Sequence, residues 1–160
     1  MPSIASLLPK LVADFPGIHF QLDEDFRWSP ETQTVYYSGS RDIAGTARLL
    51  HELSHGLLGH TDYSHDINLL KMERDAWVKA QQLARQYDIE ISDDLIQDHL
   101  DTYRDWLHAR STCPLCTATG MQIDAETYHC VACGTDWRVN EARTCGLKRY
   151  VIHKTKTPAS

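Results

Sequence analysis

The stretch His51-Glu52-Leu53-Ser54-His55 follows a run that is apolar nearly all round, Ile43-Ala44-Gly45-Thr46-Ala47-Arg48-Leu49-Leu50. Such a run predicts a helix with little solvent face, and so a buried one. On a helix, residues four apart lie one above the other, so the two imidazoles point the same way. Two histidines and a glutamate in a core need partners, because polar groups buried unpaired are costly. The bland alternative, two core histidines with a solvent-facing Glu52, leaves the imidazoles unsatisfied, whereas a metal ion satisfies all three groups. H-E-x-x-H on one helix is the spacing at which two histidines grip zinc and the carboxylate takes a proton from the water it activates. The expectation is hydrolysis, most often of a peptide bond, with His51 and His55 as ligands and Glu52 as the catalytic carboxylate.

The flanking pattern places this helix. Residues 3–14 read as a short amphipathic helix, and 18–22, 26–29 and 34–37 as strands, with Pro30-Glu31-Thr32-Gln33 turning between the last two. Ser40 or Asp42 is suited to cap the motif helix, which should run to about Leu58 and stop at Gly59. Two further helices are expected over 67–87 and 93–110.

A catalytic zinc needs a third protein ligand, and His60, His65, Glu73 and Asp75 lie downstream. His60 falls one residue short of the third-histidine spacing of metzincins. Projecting 67–87 at about 100° per residue sets Leu69, Leu70, Ala76, Trp77, Ala80, Ala84 and Tyr87 within about 60° of Glu73. Glu73 thus falls in the middle of a buried stripe, where a lone carboxylate is costly, while Asp75 projects to the opposite side. A buried Glu73 satisfied by arginine or backbone donors is the competing reading, and Glu73 is the expected ligand.

The segment His51-Glu52-Leu53-Ser54-His55-Gly56-Leu57-Leu58-Gly59-His60, followed by Glu73-Arg74-Asp75-Ala76-Trp77, resembles the ImmA/IrrE family of zinc metallopeptidases over about residues 15–90. The resemblance maps that family's ligands onto His51, His55 and Glu73 and its catalytic carboxylate onto Glu52. Asp75 and Trp77 depart from the family pattern. It implies a protein substrate of the transcriptional-regulator or stress-regulator class. The expected fold class is α+β, a small antiparallel or mixed sheet packed on zincin-type helices, followed by a zinc ribbon.

That ribbon is read from Cys113-Pro114-Leu115-Cys116 and Cys130-Val131-Ala132-Cys133-Gly134. Each C-x-x-C pair makes a tight knuckle, and four thiolates close a tetrahedron around a structural zinc. Strands are expected over 121–123, 127–129 and 137–139. A module this small buries little apolar area, so the metal supplies its folding energy. Two disulfides are the alternative, and the lack of a recognisable secretion signal at the N-terminus argues against them. Cys145 is expected to be an unpaired thiol, and His129 and His153 to be surface residues. The expected division is a metallopeptidase domain over 1–110, a ribbon over 111–155 and a flexible tail over 156–160, with two Zn2+ per chain.

No apolar run reaches membrane-spanning length, so a cytoplasmic protein without membrane contact is expected. The net charge of −6 is uneven. Residues 1–110 carry 10 Lys/Arg against 18 Asp/Glu, whereas 111–160 carry 6 against 4, with Lys148, Arg149, Lys154 and Lys156 near the end. The basic module is therefore a candidate nucleic-acid contact, although a solvated face or a brace for the preceding helix explains it equally. Trp106 and Trp137 are candidates to pack across the helix–ribbon junction. The strand over 34–37 is expected to offer an edge to an extended substrate. Tyr37, His60, Tyr63 and His65 are the candidates for stabilising the oxyanion or supporting a ligand. Two other functions fit the same motifs. One is a DNA-associated protease similar to the SprT-like group, which uses a third histidine. The other is a non-catalytic interaction protein with two structural zincs.

Overall fold

The computed structural model describes residues 2–39, 41–143 and 145–152. The fold is mixed α+β, with four helices and two small sheets among the described residues. No described helix is long and apolar enough to cross a membrane. The chain divides into two compact units, Met1–Asp62 with Lys71–Leu100, and Tyr63–Leu70 with Asp101–Ser160.

In the first unit, α1 (Ile4–Asp14) starts at a capping box in which Ser3 and Ser6 serve each other's backbone N–H. It buries Ile4, Leu7 and Leu11. Strands β1 (His19–Leu22), β2 (Arg27–Ser29) and β3 (Thr34–Tyr37) form a sheet in the order β1-β3-β2. β3 pairs in parallel with β1 and antiparallel with β2. It is therefore the central strand, and the expected substrate edge on 34–37 is corrected: both its sides are already hydrogen-bonded. The turn over 30–33 folds β2 back along one side while β1 takes the other, so the unpaired edges belong to β1 and β2.

Helix α2 (Ile43–Leu57) packs on β2, β3 and α1. Asp42 caps it by accepting from the Gly45 N–H at 2.8 Å, an interaction worth about 1 kcal/mol. Ser40, the other expected cap, lies outside the described residues. The helix buries Ala47, Leu49, Leu50 and Leu53 together with Thr46, His51, Ser54 and His55, which is the all-round burial its sequence demands. Gly59 ends it at φ +69°, a left-handed conformation that glycine adopts without strain. The remainder of the unit is drawn from α3 (Asp66–Gln86) and α4 (Asp93–Ser111), with Trp77, Ala80, Leu83, Ala84, Ile96 and Leu100 in its core.

In the second unit, β4 (Met121–Gln122), β5 (Thr127–His129), β6 (Asp136–Val139) and β7 (Arg149–Ile152) form an antiparallel sheet in sequence order. β7 was not expected: Lys148 and Arg149 read as part of a basic cluster, yet Arg149–Ile152 pairs with β6 along its whole length. Tyr128 stacks on Trp137, and with Val139, Cys113 and Cys130 they form the small core. Trp137 donates its indole N–H to the Arg110 carbonyl at 3.0 Å, and Trp106 donates to the Glu141 carbonyl at 2.6 Å. Both tryptophans thus tie α4 to the ribbon, each through its own hydrogen bond. The expected tail over 156–160 and His153 lie outside the described residues.

The second unit also buries a charged pair. Asp66, 0% exposed, accepts from the Tyr128 hydroxyl at 2.6 Å and from Gln122 Nε2 at 3.1 Å, and its carboxylate lies 3.3 Å from Arg110 Nε. Removing one member of a buried ion pair leaves the other charge without compensation. Asp66→Ala is expected to destabilise the protein by about 3–5 kcal/mol, read from guanidinium unfolding. A loss below about 1 kcal/mol would mean that Arg110 finds a replacement partner.

Candidate functional site

Helix α2 carries His51, Glu52 and His55, and α3 brings Glu73 against them. His51 Nε2 lies 2.8 Å from Glu73 Oε2, His55 Nε2 lies 3.2 Å from Glu73 Oε1, and the two Nε2 atoms are 3.1 Å apart. His51, His55 and Glu73 are 1%, 7% and 5% exposed. If both rings donate to the carboxylate, two N–H groups face each other across 3.1 Å, which no hydrogen-bond pattern satisfies. A cation among three lone pairs does satisfy it. A tetrahedral zinc with bonds of about 2.0–2.1 Å sets its ligand atoms about 3.3 Å apart, close to the three observed spacings. The residues therefore fit a metal ion of this size.

The electrostatics follow from burial and proximity. Burial pushes the Glu73 carboxyl up, but hydrogen bonds and charge from His51 and His55 outweigh it and hold the group well below the usual carboxylate range. Burial pulls the His51 imidazole down despite Glu73. At His55 burial acts in the same direction, yet Glu73 and Glu52 prevail and raise it. Glu52 is half-buried, and desolvation pushes its carboxyl up to about 7, against the opposing pull of His55, Arg48 and the Trp28 backbone N–H. A carboxyl near neutrality suits both accepting and returning a proton.

The end of α2 positions a further histidine. The His60 N–H bonds the His55 carbonyl at 3.0 Å and the Gly59 N–H bonds the Gly56 carbonyl at 3.1 Å, the two reversed bonds of a Schellman stop. This turn folds His60 back so that its Nδ1 lies 2.9 Å from His55 Nδ1. Burial and the neighbouring His55 push the His60 imidazole down. With His55 Nδ1 engaged by His60, its Nε2 is the nitrogen that could ligate a metal. Of the four supporting candidates, His60 alone touches the group. Tyr37 lines a surface cavity with Ser3, Ile4, Leu8 and Arg41. Tyr63 and His65 fall in the other compact unit, where His65 pairs with Ser64 at 3.0 Å and Tyr63 lies near Asp66.

Three contributors were not anticipated. Trp77, expected only as core, stacks on the His51 imidazole with centroids 4.2 Å apart. Trp28 lays its ring where a Cβ on Gly56 would come within 2.8 Å, so a side chain at position 56 would have to displace the indole. His99, on α4, reaches both Trp77 and His51. Its place on the same stripe as Ile96, Leu100 and Tyr103, which are buried, was the available sign.

The four cysteines converge separately. Knuckle turns close Cys113 to Thr117 at 3.0 Å and Cys130 to Gly134 at 2.8 Å. Cys113 Sγ lies 3.7 Å from Cys133 Sγ, and Cys116 Sγ 3.5 Å from Cys130 Sγ. A disulfide needs about 2.05 Å, whereas a tetrahedral ion with sulfur bonds of about 2.3 Å needs about 3.8 Å. All four thiols are free, and the spacing fits a closed metal site. Hydrogen bonds from the Thr135 hydroxyl and backbone pull the Cys133 thiol down to about 6, favouring the thiolate a metal requires. Cys145 stands apart, its thiol 3.1 Å from Glu141, and His129 pairs with Asp136 at 2.5 Å. Arg149 donates to the Thr112 carbonyl and the Arg143 guanidinium lies over Tyr103, so these two cations are engaged within the module. Lys154 and Lys156 are outside the described residues.

Comparison with known proteins gives no match to a family model, to a curated protein or to a solved structure. Ligand content is directly measurable. The purified chain is expected to hold two zinc ions and the folded fraction of Glu73→Ala one, by elemental analysis. Two ions in both proteins would remove Glu73 from the ligand set.

Proposed function

We propose that this protein is a zinc-dependent metallopeptidase that hydrolyses a peptide bond in a regulatory protein. The observation that carries the reading is the convergence of His51, His55 and Glu73 beside a half-buried Glu52 whose carboxyl is raised to about 7. His51, His55 and Glu73 would hold the catalytic ion, and the four ribbon cysteines a structural one. A zinc ion at the first site supplies Lewis acidity, polarising a peptide carbonyl and lowering the pKa of water. Glu52 accepts the proton from the attacking water and returns it to the leaving amine. His60 holds the His55 ring, and Trp77 holds that of His51.

An extended substrate is accommodated along the outer edge of β2, the strand that reaches Glu52 through the Trp28 backbone N–H. Zincin-type packing of α2 against this sheet and a relationship to the ImmA/IrrE family belong to the same proposal. The resemblance adds transcriptional regulators as the substrate class. The SprT-like alternative requires a third histidine ligand, and here His60 contacts His55 at the nitrogen opposite the metal position.

Glu52→Gln keeps the shape of the side chain and removes its ability to take a proton. It is expected to retain two zincs and lose at least about 100-fold in kcat/KM on a quenched-fluorescent peptide library. Wild-type hydrolysis should vanish with 1,10-phenanthroline and return with added zinc. An unchanged rate in Glu52→Gln, or no hydrolysis by zinc-loaded wild type, would defeat the peptidase reading and favour a non-catalytic role.

A further inference from the structure

The His51 ring is held by its neighbours' rings and not by its second nitrogen. A metal-ligating histidine ordinarily donates its other N–H to an acceptor, which fixes the ring's orientation. His51 Nδ1 is buried and has no hydrogen-bond partner among the described residues. Trp77 instead stacks on the imidazole, with centroids 4.2 Å apart and planes 26° from parallel. The Trp77 indole N–H donates to His99 Nδ1 at 3.0 Å. His99 in turn meets the His51 ring edge-on at 5.2 Å and 65°.

We propose that His99 is a positioning residue of the metal centre, acting on His51 through Trp77. The inference rests on His51 being a metal ligand and does not require the peptidase reading. A buried indole N–H needs an acceptor, and His99 supplies it from a different helix. That bond fixes the tilt of the Trp77 plane. The stacked plane then fixes the rotation of His51 and keeps Nε2 on Glu73 and His55. With Nδ1 accepting, the His99 proton sits on Nε2, so the ring serves as a neutral acceptor. Loss of the acceptor frees the indole to turn toward another partner and loosens the plate against which the His51 ring is held.

The test is zinc affinity of the full chain, measured by competition with a chromophoric chelator that resolves two sites. His99→Leu fills the volume without an acceptor, and Trp77→Phe keeps a stacking ring without the N–H. Each is expected to weaken the weaker-bound, non-cysteine zinc by about 10–100-fold and leave the ribbon zinc unchanged. His99→Gln presents a carbonyl that can accept the indole N–H and is expected to restore most of the affinity. If His99→Leu does not fold, Trp77→Phe and His99→Gln decide the matter by opposite outcomes. Wild-type affinity in Trp77→Phe would overturn the inference, as would a loss in His99→Gln equal to that in His99→Leu. A wild-type chain that binds one zinc, at the cysteines, would remove the centre itself and this inference with it.

Discussion

The contact between the Glu73 carboxylate and the two imidazoles of α2 is the constraint on which the first unit depends. A helix buried on nearly every side cannot leave His51 and His55 pointing into hydrocarbon, and α3 cannot bury a carboxylate in its apolar stripe without a partner. Each helix solves the other's difficulty, and the solution gathers two ring nitrogens and a carboxylate closely enough that they could hold a metal ion. Trp77 serves in the core and also as the plate beneath His51. The packing that stabilises the unit and the geometry that orients the centre are therefore the same set of contacts. His60, His99 and Trp28 all converge on this short segment of α2.

The second unit meets a different constraint with different means. Its strands and knuckles bury a cluster of five residues, two of them cysteines, and apolar burial on that scale does not hold a fold by itself. Four thiols within 4.8 Å of one another could hold a metal ion as one staple. The Asp66–Arg110 pair, with Tyr128 and Gln122, supplies a second, ionic one. A buried ion pair stabilises little against an apolar replacement but penalises every arrangement that breaks it. Its contribution is thus mainly to fix how the start of α3 and the end of α4 meet the ribbon strands within this unit.

Much of the site was legible because it is written in local periodicities. The four-residue spacing of His51 and His55, the apolar stripe around Glu73 and the two C-x-x-C knuckles each fix geometry over one or two turns of chain. Gly59 followed by His60 was legible as a helix stop. That the stop returns His60 onto the back of His55 required the two reversed hydrogen bonds to be seen. Strand β7 was hidden because its residues, Arg149-Tyr150-Val151-Ile152, are mostly exposed and carry no inward alternation. Its pairing with β6 is what makes it a strand.

The sequence by itself determined the helices, the stop of the motif helix at Gly59 and the two groups of side chains that could hold a metal, since these rest on backbone propensity, side-chain spacing and the cost of burying polar groups. Only the tertiary structure decided that β3 is central and not an edge, that His99 meets both Trp77 and His51, and that Asp66 finds Arg110. Those facts depend on which elements meet across long loops. The free energy of such meetings comes from shape and pairing between distant segments, and no local pattern in either segment encodes its partner.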